Sequence, residues 1–217
     1  MKPMAVDLCC GLGGWSEGLL AEGWDAVGFD IERHQYGEHR YPAQLVLQDI
    51  RTLNGRQFRG KVSLMVASPP CQKYSYMAMP WSKAKALIAW YRDPAHPERI
   101  TGLNELFDAC VRIGREAECP IVIENVRGAQ PWVGRARWNF GSFYLFGDVP
   151  ALMPILGEDG IKQGGDWFND QERSISRTTA GNNGGSNARK AASAMIAKIP
   201  LPLSRYIASV FKPRESC

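Results

Sequence analysis

The chain has 217 residues, of which 45% are hydrophobic and 22% charged, with a net charge of +4. These proportions describe a globular protein large enough to bury a substantial core in one domain spanning 1–217. No apolar run approaches membrane-spanning length and "MKPMAVDLCC" lacks a signal-peptide pattern, so a cytoplasmic protein without a membrane partner is expected.

"MAVDLC" (4–9) is an apolar run that ends in the glycine turn "CGLGG", and "WSEGLLAEG" (15–23) has helical spacing with Trp15, Leu19 and Leu20 on one face. "DAVGFD" (25–30) reads as a second strand, completing a βαβ unit and predicting a parallel sheet. "QLVLQDI" (44–50), "VSLMVASPP" (62–70) and "CPIVIENV" (119–126) read as further strands, and "TGLNELFDACVRIGREA" (101–117) as an amphipathic helix. Polar and reactive residues stand repeatedly just after strand ends. A mostly parallel, doubly wound α/β sheet arranges its ligand groups in this way, along the carboxyl edge.

Two stretches interrupt the rhythm. Residues 76–100 carry an aromatic and basic segment longer than a usual connection, and residues 157–190 are rich in Gly, Asn, Ser and charge. Residues 191–213 read as a C-terminal helix returning to the core. From Arg173 to Arg214 there are eight Lys or Arg and no Asp or Glu, which suits either a polyanion such as nucleic acid or a solvated surface. The six cysteines and three histidines form no zinc spacing and no secreted disulfide framework, so no metal is expected.

"DLCCGLGGWSEG" lacks the Gly-Lys-Ser/Thr ending of a phosphate loop, which argues against a nucleoside triphosphate. Gly11, Gly13 and Gly14 would let backbone approach a ligand closely. Asp30 ends the next strand, about where a Rossmann-like fold sets an acid against ribose hydroxyls. Asp49, ending the strand after that, could accept from an adenine amino group. Each acid alone is as readily a cap or a surface residue. Three successive strand ends supplying ligand-type groups point to nucleoside binding.

"DLCCGLGGWSEGL", "GFDIE", "QDIR", "SPPCQKYS" and "ENV" stand in the order and approximate spacing of the cytosine-5 DNA methyltransferase motifs. The chain resembles that family over about residues 4–147, with a weaker echo in "IAKIPLPLSRYIASVF" (196–211). The resemblance implies a Rossmann-like methyltransferase fold, S-adenosyl-L-methionine as cofactor and DNA as substrate. It implies a cofactor site of Asp7, Cys9, Gly11, Leu12, Gly13, Gly14, Asp30, Ile31, Asp49, Ile50, Pro69, Ala197 and Lys198. For catalysis it implies Cys71 as the thiol that adds to carbon 6 of cytosine and Glu124 as the proton donor to ring nitrogen 3. Asn125 and Pro70 would fix the local backbone, Gln72 stands beside the thiol, and Arg135 or Arg137 would supply a nearby cation.

The reaction explains these residue types. Carbon 5 of cytosine becomes nucleophilic only after a thiolate adds at carbon 6, and a free thiol is only about a few per cent thiolate at neutral pH. Glu124 must hold or share a proton at the base, which burial behind the strand "IVIE" favours. The base must also leave the duplex, at a cost of a few kcal/mol. A buried structural thiol is the plain alternative for Cys71. A cysteine hydrolase lacks a placed histidine. An amino-methyltransferase would carry an aromatic residue after the second proline, where this chain has Cys71.

The chain departs from the family pattern in two places. "VGRARWNFGSFYLFG" (133–147) loosely resembles the arginine motif without its usual glutamine, and only about fifty residues separate it from the final motif. No full recognition domain fits there. Sequence specificity would be relaxed, come from a protein partner or oligomer, or come from the 76–100 segment. Candidate DNA contacts are Lys73, Ser75, Trp81, Lys83 and Lys85, together with Arg177, Arg189 and Lys190; a lid packing its aromatics inward is the alternative for 76–100. The small size would suit a bacterial or phage-encoded modification enzyme, and a degenerate methyltransferase fold acting as a DNA-binding or partner subunit is the non-enzyme alternative.

The second departure is Ile196-Ala197-Lys198, where family members usually have a Gly-Asn-Ser-like sequence beside the cofactor. A lysine about 5 Å from a sulfonium would repel it by roughly 3 kcal/mol at an effective dielectric near 20. That could favour a donor with an anionic group on the transferred carbon. Lys198 could instead pair with the carboxylate common to all such donors, or with a DNA phosphate.

Overall fold

The apolar runs early in the chain form parallel strands joined by helical crossovers. The computed structural model describes residues 2–75, 80–151 and 187–213. β1 (Met4–Leu8) and β2 (Asp25–Asp30) pair in parallel, Leu8 opposite Phe29, with α1 (Gly14–Ala21) between them. A small antiparallel ribbon, β3 (Gln35–Tyr36) with β4 (His39–Arg40), precedes β5 (Gln44–Leu47), which pairs parallel to β2. β6 (Leu64–Ala67) then crosses to the far side of β1, and β7 (Ile121–Asn125) pairs parallel to β6.

Between β6 and β7 run α2 (Trp81–Tyr91) and α3 (Glu98–Ala117). After β7 come the short α4 (Gln130–Val133) and a hairpin, β8 (Trp138–Phe140) and β9 (Phe143–Gly147), with β9 antiparallel to β7. The seven-stranded order is β5-β2-β1-β6-β7-β9-β8. The chain winds outward in one direction from β1 and in the other from β6, which makes the β1/β6 boundary the topological switch point.

Both faces of the sheet are covered, and the strand period of two divides the core cleanly. Val6, Leu8, Met65, Ala67, Ile121 and Ile123 pack with Phe107, Cys110 and Ile113 of α3. Ala5, Leu64, Val66 and Val122 point the other way, with Trp15 and Leu19 of α1 and Leu203 and Ile207 of the C-terminal helices.

The expected single C-terminal helix over 191–213 is two helices, α5 (Asn187–Ala197) and α6 (Leu201–Phe211). Pro200 caps the second and Pro202 occupies its first turn; proline disfavours helical backbone in the residue before it, so the chain breaks at 198–200. α6 lies so close to α1 that a Cβ on Gly18 would stand 2.5 Å from Arg205 N. Trp24 Nε1 donates to Ala208 O at 3.1 Å on the same face.

Candidate active site

At the carboxyl ends of the strands lies a cavity of about 880 Å³, within the size range of small-molecule sites. The parallel register sets Leu8 level with Ala67, and Ala67 level with Ile123. The residues after β1, β2 and β6 and the end of β7 therefore open onto one edge.

On the β2/β5 side, Asp30, Ile31, Asp49 and Ile50 line the cavity. Asp30 Oδ2 accepts from Gly11 N at 2.9 Å and Oδ1 from Ile31 N at 2.8 Å, with His34 Nε2 3.6 Å from Oδ1. Burial alone would raise this carboxyl most, but the His34 and Gly11 hydrogen bonds and the His34 charge together hold it below the usual range. Ile31 beside it is 73% exposed, an apolar surface at the mouth of the cavity. Gly11 has φ +51°, and a Cβ added there would meet nothing within 4 Å.

Asp49 does not end its strand. β5 stops at Leu47, and Asp49 caps the next turn, accepting from Arg51 N at 2.9 Å and from Arg51 Nε and Nη2. The Arg51 bonds lower its pKa. Any adenine amino group must share a carboxylate already held by Arg51.

Three glycine-turn expectations change. Asp7 is completely buried beneath the turn and does not line the cavity. Its Oδ2 accepts from Ser16 Oγ at 2.7 Å, Ser16 Oγ and Tyr41 Oη share a 2.6 Å hydrogen bond, and Oδ1 has no partner among the described residues. Burial pushes this carboxyl up to about 8 against the opposing Ser16 bond. Gly13 is also turned from the cavity: with φ +77°, a Cβ there would strike Pro42 Cδ at 2.3 Å. Gly14 lines the cavity, yet its lack of a side chain lets Ile199 N approach to 2.5 Å of where a Cβ would be. Cys9 and Leu12 line the cavity too; a hydrogen bond with Cys110 and then burial push the Cys9 thiol up.

On the other side stand Ser68, Pro69, Pro70, Cys71, Gln72 and Lys73 from the β6 turn and Glu124 from β7. Cys71 is half-buried, whereas Glu124 is only 4% exposed. Asn125 is fully buried; its Nδ2 donates to Pro69 O at 3.0 Å and its Oδ1 accepts from Val126 N at 2.9 Å. Beyond the thiol, Tyr74 N donates to Cys71 O at 2.9 Å and Ser75 Oγ to the same oxygen at 3.0 Å. Tyr74 Oη is held by Asn104 Oδ1 at 3.0 Å. The Cys71 backbone is thus fastened from both sides.

Reading the sequence left several participants unmarked. Trp15 Nε1 donates to Ser68 Oγ at 3.0 Å, joining the start of α1 to the turn that carries Cys71. Leu103, Leu106 and Phe107 of α3 form an apolar wall of the cavity, although their helical spacing reads as core. Ala197 and Lys198 line it as well, and Lys198 Nζ donates to Glu17 Oε1 at 2.6 Å.

Arg135 and Arg137 are exposed and do not line the cavity, because the chain has turned into the β8–β9 hairpin, where Arg137 N donates to Leu145 O. The arginine and lysine residues on the lining are Arg51, Lys73 and Lys198. Among the expected DNA contacts, Trp81 is 64% exposed at the start of α2, with Lys85 Nζ 5.2 Å from its ring centre, and Lys83 is exposed. Ser75 is turned toward Cys71 O instead. Arg177 and the side chains of Arg189 and Lys190 lie outside the described residues, as does most of the 157–190 stretch.

Comparison with solved structures returns a Dnmt2 methyltransferase of S. pombe at 20% identity, covering 61% of this chain and 37% of that one with TM-score 0.35. Entamoeba histolytica methyltransferase EhMeth is similar at 19% identity over 61% of this chain and 41% of that chain, TM-score 0.36. Magnesium protoporphyrin IX methyltransferase from Synechocystis, solved with bound SAM, matches at 15% identity over 59% and 51%, TM-score 0.31. The chain therefore spans well under two thirds of the first two. No curated protein sequence matches. The profile of C-5 cytosine-specific DNA methylases matches residues 4–131, more than half of the chain and the whole run from β1 through β7 to the start of α4. The chain belongs to the C-5 cytosine-specific DNA methylase family.

Proposed function

We propose that the protein transfers the carbon carried on the sulfonium of an S-adenosylmethionine-type donor to carbon 5 of cytosine in DNA, a methyl group in the ordinary case. The observation that carries this reading is one cavity lined at one end by Asp30 and Asp49 and at the other by Cys71 and Glu124. A degenerate binding subunit would have no need to keep a thiol and a buried carboxyl on the same wall.

The residues fit an adenosyl donor. Gly11 leaves open space where a side chain would stand, Asp30 offers its carboxylate at the end of β2, and Ile31 and Phe107 supply apolar faces for a base. When bound, S-adenosylmethionine would supply an electrophilic carbon next to the thiol end. Cys71 adds to carbon 6, presented by a backbone that Asn125, Tyr74 and Ser75 hold in place. Glu124, buried at the end of β7, supplies a proton at ring nitrogen 3, help worth on the order of 10²–10⁴ in rate. With Arg135 and Arg137 away from the cavity, Lys73, two residues beyond Cys71, is the lining cation nearest to the thiol in the chain. The exposed Trp81, Lys83 and Lys85 of α2 suit contacts with the DNA flanking the extruded base.

Mass spectrometry of nucleosides from DNA treated with wild type and Cys71→Ala tests this reading. Modified cytosine from wild type alone is expected. Modified adenine, or cytosine modification that persists in Cys71→Ala, would overturn it.

A further inference from the structure

The sheet order supplies a ruler across the cavity. Asp49 follows β5 and Asp30 ends β2 on one side of β1, while Cys71 follows β6 and Glu124 stands near the end of β7 on the other. A donor with its nucleoside on the first pair and its acceptor at the second must hold its transferable carbon over the end of β1. Lys198 lines the same cavity and is fastened to α1, the helix that follows β1. Ile199 backbone packs against Gly14, Lys198 Nζ bonds Glu17 Oε1 in the first turn of α1, and Trp15 between them reaches Ser68, three residues before Cys71. Lys198 lines the cavity with its side chain 21% exposed, and Glu17 occupies one of the three N–H donors of the ammonium.

We infer that Lys198 selects a sulfonium donor whose transferred carbon carries a carboxylate, so that the group delivered to cytosine carbon 5 is carboxymethyl. The inference rests on the cytosine-5 transfer proposed above. A methyl sulfonium gains nothing from the Lys198–Glu17 ion pair, whereas a carboxylate on the transferred carbon can take the ammonium's remaining N–H donors as a second ion pair. The amino-acid carboxylate is present in every such donor, and the family resemblance puts an uncharged, serine-like residue where this chain has Lys198. A lysine adds recognition when the donor itself adds an anion. Glu17 keeps the ammonium neutralised and oriented until that anion arrives.

The step balances without a further reactant. Cys71 sulfur bonds carbon 6, carbon 5 attacks the CH₂ of the donor, and the carbon–sulfonium bond breaks to release the neutral thioether S-adenosylhomocysteine. The carbon 5 proton then passes to solvent and Cys71 leaves carbon 6 as thiolate, restoring the ring.

The test pairs calorimetric binding of S-adenosylmethionine and its S-carboxymethyl counterpart with nucleoside mass spectrometry of DNA given both donors together. Wild type should bind the carboxylated donor about fivefold more tightly, the upper scale of one partly exposed ion pair, and form carboxymethylcytosine. Lys198→Asn should lose that preference while still binding S-adenosylmethionine. Glu17→Gln, which keeps the lysine but removes its competing charge, should strengthen it. Equal affinities in wild type, or a Lys198→Asn variant weakened equally toward both donors or only toward DNA, overturn the inference. Methylcytosine as the sole product overturns it while leaving cytosine-5 transfer intact. Clear donor discrimination with no cytosine modified would instead locate the failure in the transfer reading.

Discussion

Asp7→Asn should make the protein more stable than wild type at pH 8, an advantage that shrinks toward acid pH and reverses once wild-type Asp7 is protonated in both the folded and unfolded states. Asp7 is wholly buried, has one oxygen without a partner, and its pKa is pushed up to about 8 from an ordinary 3.8. Because the folded value lies above the unfolded one, the protonated carboxyl favours the fold, and its contribution is fully present below about pH 4. As pH rises the unfolded chain ionises first, so stability falls steadily until the folded group ionises near pH 8. From pH 5 to pH 8 the loss is about 4 kcal/mol, at roughly 1.4 kcal/mol per pH unit, with no screening discount for a group at 0% exposure. An amide does not titrate, and its oxygen can still accept from Ser16 Oγ, although burying its NH₂ without a partner costs about 1–3 kcal/mol. Urea midpoints of both proteins at pH 5 and pH 8 measure the difference, since all other titrating groups are common to the pair. Parallel pH profiles would refute the reasoning.

The glycine turn gives a paired prediction: Gly13→Ala should destabilise by about 1–3 kcal/mol through collision with Pro42, whereas Gly11→Ala should cost less stability and weaken donor binding. Thermal unfolding and donor calorimetry on the two variants separate the effects. Asp30→Ala should weaken donor binding at least about tenfold by calorimetry, having lost a charge-assisted partner at the mouth of the cavity. Asn125→Ala should cost about 1–3 kcal/mol and lower kcat with little change in donor KM, because it frees Pro69 O and loosens the turn that presents Cys71.

Features that depend on local pattern were legible in the sequence. "DAVGFD" is the strand Asp25–Asp30, and the helix read over 101–117 is α3, extended three residues at its start. The β8–β9 hairpin also carries a local signal, alternating apolar residues about Gly141, but its likeness to an arginine motif masked that alternation. Pro200 likewise carries a local signal for the break between α5 and α6, which the reading of one helix over 191–213 passed over. What could not be read is contact between distant segments. Nothing local distinguishes Gly11, open to the cavity, from Gly13, packed on Pro42. Lys198 and Glu17 are 181 positions apart and meet only because α6 lies on α1. The arginines were misjudged for a related reason, since their placement depends on where the hairpin carries them.

The central claim is that Cys71 bonds carbon 6 of a cytosine during transfer. DNA in which the target cytosine bears fluorine at carbon 5 tests it most directly, because fluorine cannot leave as a proton does and the thiol would stay attached. Intact mass spectrometry after incubation with donor should show a protein–DNA adduct for wild type, mapped to Cys71, and none for Cys71→Ala. Wild type that modifies cytosine yet forms no adduct, or an adduct that persists in Cys71→Ala, would contradict the account.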